Sequence, residues 1–153
     1  MKGMVVAMEL KIKRTDPRAV CPQRGTAGSA GMDLRALLDA PLTIPPGGRV
    51  SVPTGIAIGL PSPETVGLVF ARSGLAVKHG LALSNGVGVI DSDYTGEIRV
   101  GLVNLAAEAY TIEPGERIAQ LVVMPVCLPA AVEVEALEET ARGAGGFGST
   151  GRT

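Results

Sequence analysis

The chain has 153 residues, a length that fits a single domain with its own hydrophobic core. Hydrophobic residues make up 46% of the sequence and charged residues 19%, a balance that excludes an intrinsically disordered chain. The net charge of −1 excludes a protein that coats nucleic acid by bulk electrostatics, and no apolar run approaches the ~20 residues of a membrane helix.

Short apolar segments follow one another along the chain. The first is a predicted strand in which Met8, Leu10 and Ile12 alternate with charged residues. Further runs, at roughly the 8–12-residue spacing of β-sandwiches and barrels, lie at 31–37, 49–52, 54–60, 66–71, 87–90, 97–104, 109–112, 117–126 and 131–135. Only Leu75–His79 is predicted to form a helical turn. Because Gly, Pro, Ser and Asn clusters separate the runs, the sequence predicts an all-β domain of jelly-roll type over residues 1–139.

The last fourteen residues, 140–153, differ from the rest in composition. They read TARGAGGFGSTGRT, with five glycines and one large apolar side chain, Phe147. Such a segment cannot bury enough surface to offset its ordering entropy, so we predict a mobile arm. Fully extended, it would reach about 46 Å, far enough to contact a neighbouring subunit. An aromatic ring on a glycine-rich tether is better explained by stacking on a base than by core packing.

The N-terminal apolar stretch is too short for a signal peptide, so we expect a cytoplasmic protein. Cys21 and Cys127 are the only cysteines, and reduced thiols are the expected state, with one disulfide left open. Together with the single His79 they fall short of the four ligands of a structural zinc site.

Two apparent motifs carry no chemistry. Residues 143–148 match G-x-G-x-x-G, but a dinucleotide-binding fold needs a strand before this motif and a helix after it. Ser73, His79 and Asp91 do not indicate a nucleophilic triad, because Ser73 lacks the G-x-S-x-G context.

The segment ARSGLAVKHGL, at 71–81, is a candidate phosphate site. It places the Arg72 guanidinium, the Ser73 hydroxyl and the uncovered backbone of Gly74 next to one another before a helical turn. These groups are the donors that phosphate oxygens accept from in proteins. The alternative interpretation is a surface turn with an exposed arginine.

The segment NGVGVIDSDYTGEI, at 85–98, is a candidate base site. Asn85-Gly86 is a strong hairpin signal. Gly88 leaves the backbone uncovered, so a flat ring could lie against the strand and hydrogen-bond to its main chain. Asp91 and Tyr94 then place a carboxylate and an aromatic ring at the mouth of this strand, although both could also be ordinary turn residues.

Two polar residues lie within apolar strands. Asp33 alternates with Met32 and Leu34, which should face the opposite side, and a carboxylate there should be paired if buried. Gln120 lies in the segment GERIAQL, which otherwise resembles core.

Five segments taken together resemble the five ordered motifs of the trimeric deoxyuridine triphosphatase (dUTPase) family. They are AGMDLRA, ARSGLAVKHGL, NGVGVIDSDYTGEI, GERIAQL and RGAGGFGSTG, spanning residues 30–151. The resemblance implies a distorted jelly roll of the β-clip type that assembles as a homotrimer with three active sites. It also implies Mg²⁺-dependent hydrolysis of dUTP to dUMP and pyrophosphate, which keeps uracil out of DNA and supplies dUMP for dTMP synthesis.

The resemblance also implies roles for the residues at motif positions. Asp91 would activate the attacking water, and Tyr94 would pack on the deoxyribose. Asn85, with the backbone of Gly88 and Val89, would bind the uracil edge.

The phosphates would be held by Arg72, Ser73, Gly74 and Gln120. Asp33 would contribute to the polar network behind them, or contact Mg²⁺ through a bound water, so that no protein group ligates the metal directly. From a third subunit, the arm would close over the substrate with Arg142, Phe147, Gly148, Ser149 and Thr150, and Arg142 would also act in catalysis.

Two departures from the family pattern are small: Ala71 stands where many members have Pro, and Glu116 where Asp is frequent. Two alternatives remain within the same fold. One is a dCTP deaminase-like enzyme, although those enzymes lack the glycine-rich arm with its Phe and need a catalytic Glu that the sequence does not place. The other is a non-catalytic nucleotide sensor, for which a water-activating carboxylate has no use.

Overall fold

The computed structural model describes residues 8–146, which form eleven β-strands and one short helix. In chain order the elements are β1 (Lys11–Arg14), β2 (Gln23–Arg24), β3 (Met32–Arg35), β4 (Leu42–Ile44), β5 (Arg49–Gly59), β6 (Thr65–Phe70), α1 (Ser73–His79), β7 (Leu81–Leu83), β8 (Gly88–Ile90), β9 (Glu97–Asn104), β10 (Tyr110–Ile112) and β11 (Arg117–Pro125). No helix among these residues is both long and apolar enough to cross a membrane.

The strands form two large sheets and one small one. The first has the order β1-β5-β9-β7, the second β2-β3-β11-β6-β8, and β10 pairs with β4. All pairings are antiparallel, and most neighbours in a sheet are distant in sequence. This confirms the predicted all-β class and the jelly-roll type.

The core follows from the period-2 alternation of the long strands. In β9, Ile98, Val100 and Leu102 are buried while the residues between them are at least partly exposed. β3 and β11 contribute Leu34 and Leu121 to the same hydrophobic cluster. The apolar faces of both large sheets therefore share one core.

Two predicted runs, 49–52 and 54–60, belong to a single strand. β5 continues through both, but its register with β9 shifts between Pro53 and Ala57. The Gly55 N–H, displaced from the ladder there, donates to the Glu97 carboxylate at 2.8 Å. A β-bulge of this kind bends a strand without ending it.

The prediction of a strand at 131–135 is wrong. The segment alternates Val with Glu as a half-buried strand would, yet it has no strand partner within the described residues. Val132 and Val134 are 77% and 57% exposed. Three short strands, β2, β4 and β7, were not expected, because each has only two or three residues and lies outside the predicted apolar runs.

Asn104 is the fully buried polar side chain that ties β9 to the β4–β10 pair. Its Nδ2 donates to the carbonyl oxygens of Ile44 at 3.0 Å and Glu108 at 2.7 Å, and its Oδ1 accepts from the Ala106 N–H at 2.9 Å. All of its hydrogen-bonding atoms are therefore used inside the protein.

We expect Asn104→Ala to lower the free energy of unfolding by about 2–4 kcal/mol, because it leaves buried carbonyl and N–H groups without partners. Urea unfolding followed by circular dichroism measures this. Glu108→Ala is the control, since it keeps the accepting carbonyl and should cost less than ~0.5 kcal/mol. Equal effects of the two substitutions would contradict the assigned role of the Asn104 side chain.

Candidate functional site

A first cavity, of about 300 Å³, opens between β8 and the start of β9. Its lining contains the whole predicted base site, together with further residues of the surrounding strands: Asn85, Gly88, Val89, Asp91, Tyr94, Val69, Leu83, Ile90, Glu97, Ile98, Arg99 and Gly101. We call it the base cavity. The sequence prediction that these motif residues lie together is consistent with this arrangement.

The turn that forms the base cavity is not a hairpin, contrary to the prediction from Asn85-Gly86. The chain does turn here, with the Gly86 N–H donating to the Leu83 carbonyl at 3.1 Å. However, β7 pairs with β9 while β8 pairs with β6, so the turn crosses from one large sheet to the other. The two strands diverge after the turn because each continues in a different sheet.

β8 is an edge strand, so part of its backbone is available to a ligand. Within the described residues it pairs on one side only, with β6. Its other edge carries N–H and C=O groups of the kind that pair with extended or planar partners. Gly88 leaves this stretch of backbone uncovered, and a Cβ there would lie in tight contact with Val69, 3.1 Å from its Cβ. The backbone is therefore open to a flat ring beside Val69.

The Tyr94 ring stands at the mouth of the base cavity in a fixed orientation. Its hydroxyl donates to the Glu97 carbonyl at 2.9 Å, and its N–H donates to the Asp91 carbonyl at 3.1 Å. About half of the residue, 47%, is exposed. The Asp91 residue on the same turn is also exposed. A ligand in this cavity would meet an aromatic face and a carboxylate side by side.

Glu97 and Arg99 line the base cavity but did not appear among the predicted site residues. Arg99 is held on β9 by Ser51, whose hydroxyl and carbonyl accept from its Nε and Nη2 at 3.2 and 3.1 Å. Its Nη1 lies 3.7 Å from the Glu97 carboxylate. The period-2 alternation of β9 can be identified from the sequence, and it indicates that the Glu97 and Arg99 side chains face away from the core.

A second cavity, of about 420 Å³, lies where β3 and β11 meet the loop into α1. Its lining is polar and contains the predicted phosphate residues: Gly25, Ser29, Ala30, Gly31, Asp33, Arg72, Ser73, Gly74, Arg117 and Gln120. We call it the phosphate cavity.

Asp33 organises the cations of the phosphate cavity. Its Oδ1 lies 3.1 Å from Arg72 Nε, and its Oδ2 lies 3.1 Å from Arg117 Nη1. Met32 and Leu34 are buried on the opposite face of β3, and both this alternation and the pairing of Asp33 confirm the prediction. Two guanidinium groups against one carboxylate leave the cavity with a net positive charge, which favours an anionic ligand.

Arg117 is a site residue that the sequence analysis missed. It is the first residue of β11, a position that is typical of an exposed strand end. Only the pairing of β11 with β3 brings its side chain next to Asp33, 84 residues earlier in the chain.

Gln120 connects β11 to the loop before α1. Its Nε2 donates to the Ala71 carbonyl at 2.9 Å, and its amide lies against Gly31. No side chain caps the start of α1 at Arg72. Ser73 and Gly74, at the start of α1, line the phosphate cavity together with Gln120, and the first-turn N–H groups have no side-chain cap.

The other end of α1 packs on Tyr110. The rings of His79 and Tyr110 have their centroids 5.0 Å apart. The Tyr110 hydroxyl donates to the Glu116 carboxylate, and burial together with this hydrogen bond raises the pKa of Tyr110 to about 12. The tyrosine stays neutral at physiological pH and holds α1 next to the β10–β11 turn.

The two cavities share no lining residue, so one chain does not bring the base and phosphate residues into a single pocket. Arg142 is exposed and lines neither cavity. The backbone hydrogen bonds of its segment are local: the Gly143 N–H donates to the Thr140 carbonyl, and the Gly145 N–H donates to the Arg142 carbonyl. The predicted arm residues Phe147, Gly148, Ser149 and Thr150 lie outside the described residues.

The described residues contain no group of three or more His, Cys, Asp or Glu side chains that could hold a metal ion. Asp33 already pairs with two arginines. A divalent cation would therefore fit the phosphate cavity only if an anionic ligand carried it there.

Comparisons with known proteins agree with the motif pattern. The family model described as dUTPase matches residues 18–151. A deoxyuridine 5'-triphosphate nucleotidohydrolase of Desulfitobacterium hafniense is 51% identical over 146 residues, covering 95% of this chain and 97% of the relative. One from Aeromonas hydrophila is 50% identical over 151 residues, covering 97% of this chain and 99% of the relative.

Solved structures give the same result. The dUTPase of Staphylococcus bacteriophage 80alpha, solved with dUpNHpp, superposes with a TM-score of 0.84 at 29% sequence identity. The match covers 94% of this chain and 98% of the phage protein.

Proposed function

The chain belongs to the dUTPase family, and from this premise we propose that it hydrolyses dUTP to dUMP and pyrophosphate in sites shared between the subunits of a homotrimer. The observation that carries the proposal is the separation of two complementary cavities on one chain. The base cavity offers backbone, carboxylate and aromatic groups, and the phosphate cavity offers guanidinium groups. If the phosphate cavity of one subunit faces the base cavity of the next, one nucleotide can occupy both.

The base cavity can select uracil by hydrogen bonding. The free edge of β8 and the Asn85 amide would bind the donor and acceptor atoms on the ring edge. A cytosine would present its N4 donor to a backbone donor, at a cost of about 1–3 kcal/mol for each unpaired group. A thymine methyl group would meet the wall formed by β8, and the Tyr94 ring would pack on a deoxyribose and leave no room for a 2′-hydroxyl.

The phosphate cavity would bind the triphosphate through Arg72, the Ser73 hydroxyl, the Gly74 backbone and the Gln120 amide. Asp33 fixes the Arg72 side chain before substrate binds, with an Nε–Oδ1 distance of 3.1 Å. A guanidinium that is already positioned loses less conformational entropy when the phosphate binds.

The residues of the phosphate cavity fit a Mg²⁺ ion that enters on the triphosphate. Asp33 and Gln120 would hold it through water molecules, because the Asp33 oxygens are already paired with arginines. When bound, Mg²⁺ neutralises charge on the phosphate oxygens.

Asp91 is the proposed general base. It would accept a proton from a water molecule that attacks the α-phosphorus in line with the leaving pyrophosphate. The carboxylate holds this proton while the bond between the α-phosphorus and the oxygen bridging to the β-phosphate breaks, and that oxygen leaves with pyrophosphate. Its position beside Tyr94 would place it next to the sugar, on the side from which the α-phosphate projects.

The arm would complete the site from a third subunit. Arg142 would stabilise the charge that develops on the phosphates, Phe147 would stack on the base, and Gly148, Ser149 and Thr150 would bind the phosphates. Among residues 8–146, Arg142 is exposed and lines neither cavity, which supports a role on a neighbouring subunit. The exposed thiols of Cys21 and Cys127 support a reducing compartment, the cytoplasm.

A nucleotide panel tests the function. Pyrophosphate release with Mg²⁺ is expected from dUTP and not from dCTP, dTTP or UTP, and light scattering is expected to give the mass of a trimer. Ammonia release from dCTP would instead support a deaminase, and tight dUTP binding without turnover would support a sensor. A fully active single subunit would contradict the shared site.

The close contact between Gly31 and Gln120 gives a further prediction. A Cβ at residue 31 would lie 3.2 Å from the Cβ and Cδ of Gln120, so Gly31→Ala should push its amide out of the phosphate cavity. Losing one hydrogen bond to a charged phosphate should raise KM for dUTP about tenfold, with a smaller change in kcat. Gly28→Ala, where a Cβ meets nothing within 4 Å, is the matched control for steady-state kinetics. Equal KM values for the two variants would contradict the role of Gln120.

A further inference from the structure

A third cavity, of about 150 Å³, adjoins the phosphate cavity and contains three arginines. It is lined by Val20, Cys21, Gln23, Arg24, Gly25, Asp33, Arg35 and Arg117. We call it the arginine cavity. It shares Gly25, Asp33 and Arg117 with the phosphate cavity, so the two adjoin across the Asp33–Arg117 ion pair. The proposed function assigns no role to Arg24 or Arg35.

Sheet register brings Arg35 and Arg117 together, and Arg24 borders the same cavity from the edge strand β2. β2, β3 and β11 are neighbours in one sheet, and Arg35 is the direct cross-strand partner of Arg117. Like charges directly opposite each other in a sheet are destabilising. Arg35 lies two residues after Asp33 on β3, so the Asp33 and Arg35 side chains lie on the same face of the sheet.

The carboxylates nearby do not neutralise this group. Asp33 is the one acidic residue in the lining, and Arg72 shares it from the phosphate cavity. Arg35 Nη1 donates to a neutral group, the Gly115 carbonyl, at 2.8 Å. Within the described residues no ion pair joins Arg24 or Arg35 to a carboxylate. By contrast, the exposed Arg18 forms ion pairs with two carboxylates, those of Asp16 and Asp39.

We propose that the arginine cavity is a second oxyanion site, distinct from the substrate phosphate cavity, which binds inorganic phosphate or a phosphate group of pyrophosphate between Arg24, Arg35 and Arg117. Each guanidinium presents five N–H donors in a planar fork that matches a tetrahedral oxyanion, and the anion relieves the repulsion between the arginines. Binding of inorganic phosphate does not depend on the proposed function. Binding of pyrophosphate as a product does rest on it, because dUTP hydrolysis would release pyrophosphate in the adjoining phosphate cavity.

Cys21 provides a local probe for this site, because it lines the arginine cavity and is exposed. The full-length protein without nucleotide is treated with iodoacetamide at rising concentrations of inorganic phosphate. The protein is then digested, and the alkylated fractions of the Cys21 and Cys127 peptides are quantified by mass spectrometry. Phosphate is expected to slow alkylation of Cys21 in a saturable way. Cys127, which is exposed outside the cavity, is the internal reference and should not respond. Sodium chloride at matched ionic strength controls for screening.

Variants test the arginines. Arg24→Gln and Arg35→Gln are each expected to weaken phosphate protection of Cys21 by about tenfold, the loss of one charge-assisted hydrogen bond. Arg49→Gln, an exposed arginine at the start of β5 in the other large sheet, should leave protection unchanged. Arg24→Gln should also keep the initial rate of dUTP hydrolysis, which separates this site from the substrate site. Calorimetric titration of phosphate into the same variants gives a readout independent of the thiol and should rank them in the same order.

Pyrophosphate distinguishes the two sources of the anion. If it spans both cavities, its protection of Cys21 should also weaken in Arg72→Gln, whereas protection by phosphate should not. Protection that chloride reproduces, or that Arg24→Gln and Arg35→Gln leave unchanged, would overturn the proposal. A protein that fails to hydrolyse dUTP but still shows arginine-dependent phosphate binding would overturn the proposed function and leave this site intact.

Discussion

Asp91→Asn should lower kcat for dUTP by about 10²–10⁴-fold while the protein stays folded and keeps its number of subunits. Asparagine keeps the size and polarity of the side chain but cannot take a proton from water at neutral pH. Asp91 is exposed, and its carbonyl, rather than its carboxylate, accepts the Tyr94 N–H. The turn that carries it should therefore be retained, and KM should change much less than kcat.

Asp93→Asn is the matched control for this prediction. Asp93 is exposed on the same turn, and it does not line the base cavity. Its replacement removes the same charge two residues away and should change kcat only a few-fold. Steady-state pyrophosphate release for both variants, with thermal unfolding as the folding check, decides the matter. Turnover by Asp91→Asn within tenfold of the unmodified protein would refute the general-base assignment.

The sequence predicted the long elements of the fold because each is an apolar run between clusters of turn-forming residues. β9 and β11 were expected almost at their observed bounds: Ile98, Val100 and Leu102 alternate with period 2 in β9, and β11 lies in a continuous apolar run between turn residues. What the sequence could not give was pairing. The Asn85-Gly86 turn is correct as a turn, but its flanking strands belong to different sheets, and only long-range pairing decides that.

The same physical limit applied to the site. Asp33 was expected to be paired, but its partners Arg72 and Arg117 lie 39 and 84 residues away along the chain and meet it only through sheet pairing. The alternation of Val132 and Val134 with glutamates indicated a strand, and no described strand covers it. A local pattern states which face of a segment is apolar and does not state which surface, on which subunit, that face meets.

Deleting residues 141–153 should lower kcat/KM for dUTP by at least about 10³-fold, the range in which an arginine finger acts. Within residues 8–146 the last strand ends at Pro125, and the backbone hydrogen bonds of 140–146 join only nearby residues. The deletion should therefore leave the melting temperature and the number of subunits in the oligomer unchanged. Phe147→Ala is the graded companion, since loss of one stacking contact worth about 1–3 kcal/mol should cost roughly 10–100-fold.

Mixed oligomers determine whether the arm acts on its own subunit or on another. Subunits that lack 141–153 keep Asp91, and full-length Asp91→Asn subunits keep the arm, so neither alone should turn over dUTP. Co-expressed with different tags and purified as a mixture, they should recover a substantial fraction of activity, because some sites then combine an intact Asp91 with an arm from a neighbour. An arm that closes only over its own subunit would give no such site, and activity would stay at the level of the separate variants. The exposed position of Arg142, away from both cavities of its own chain, favours recovery.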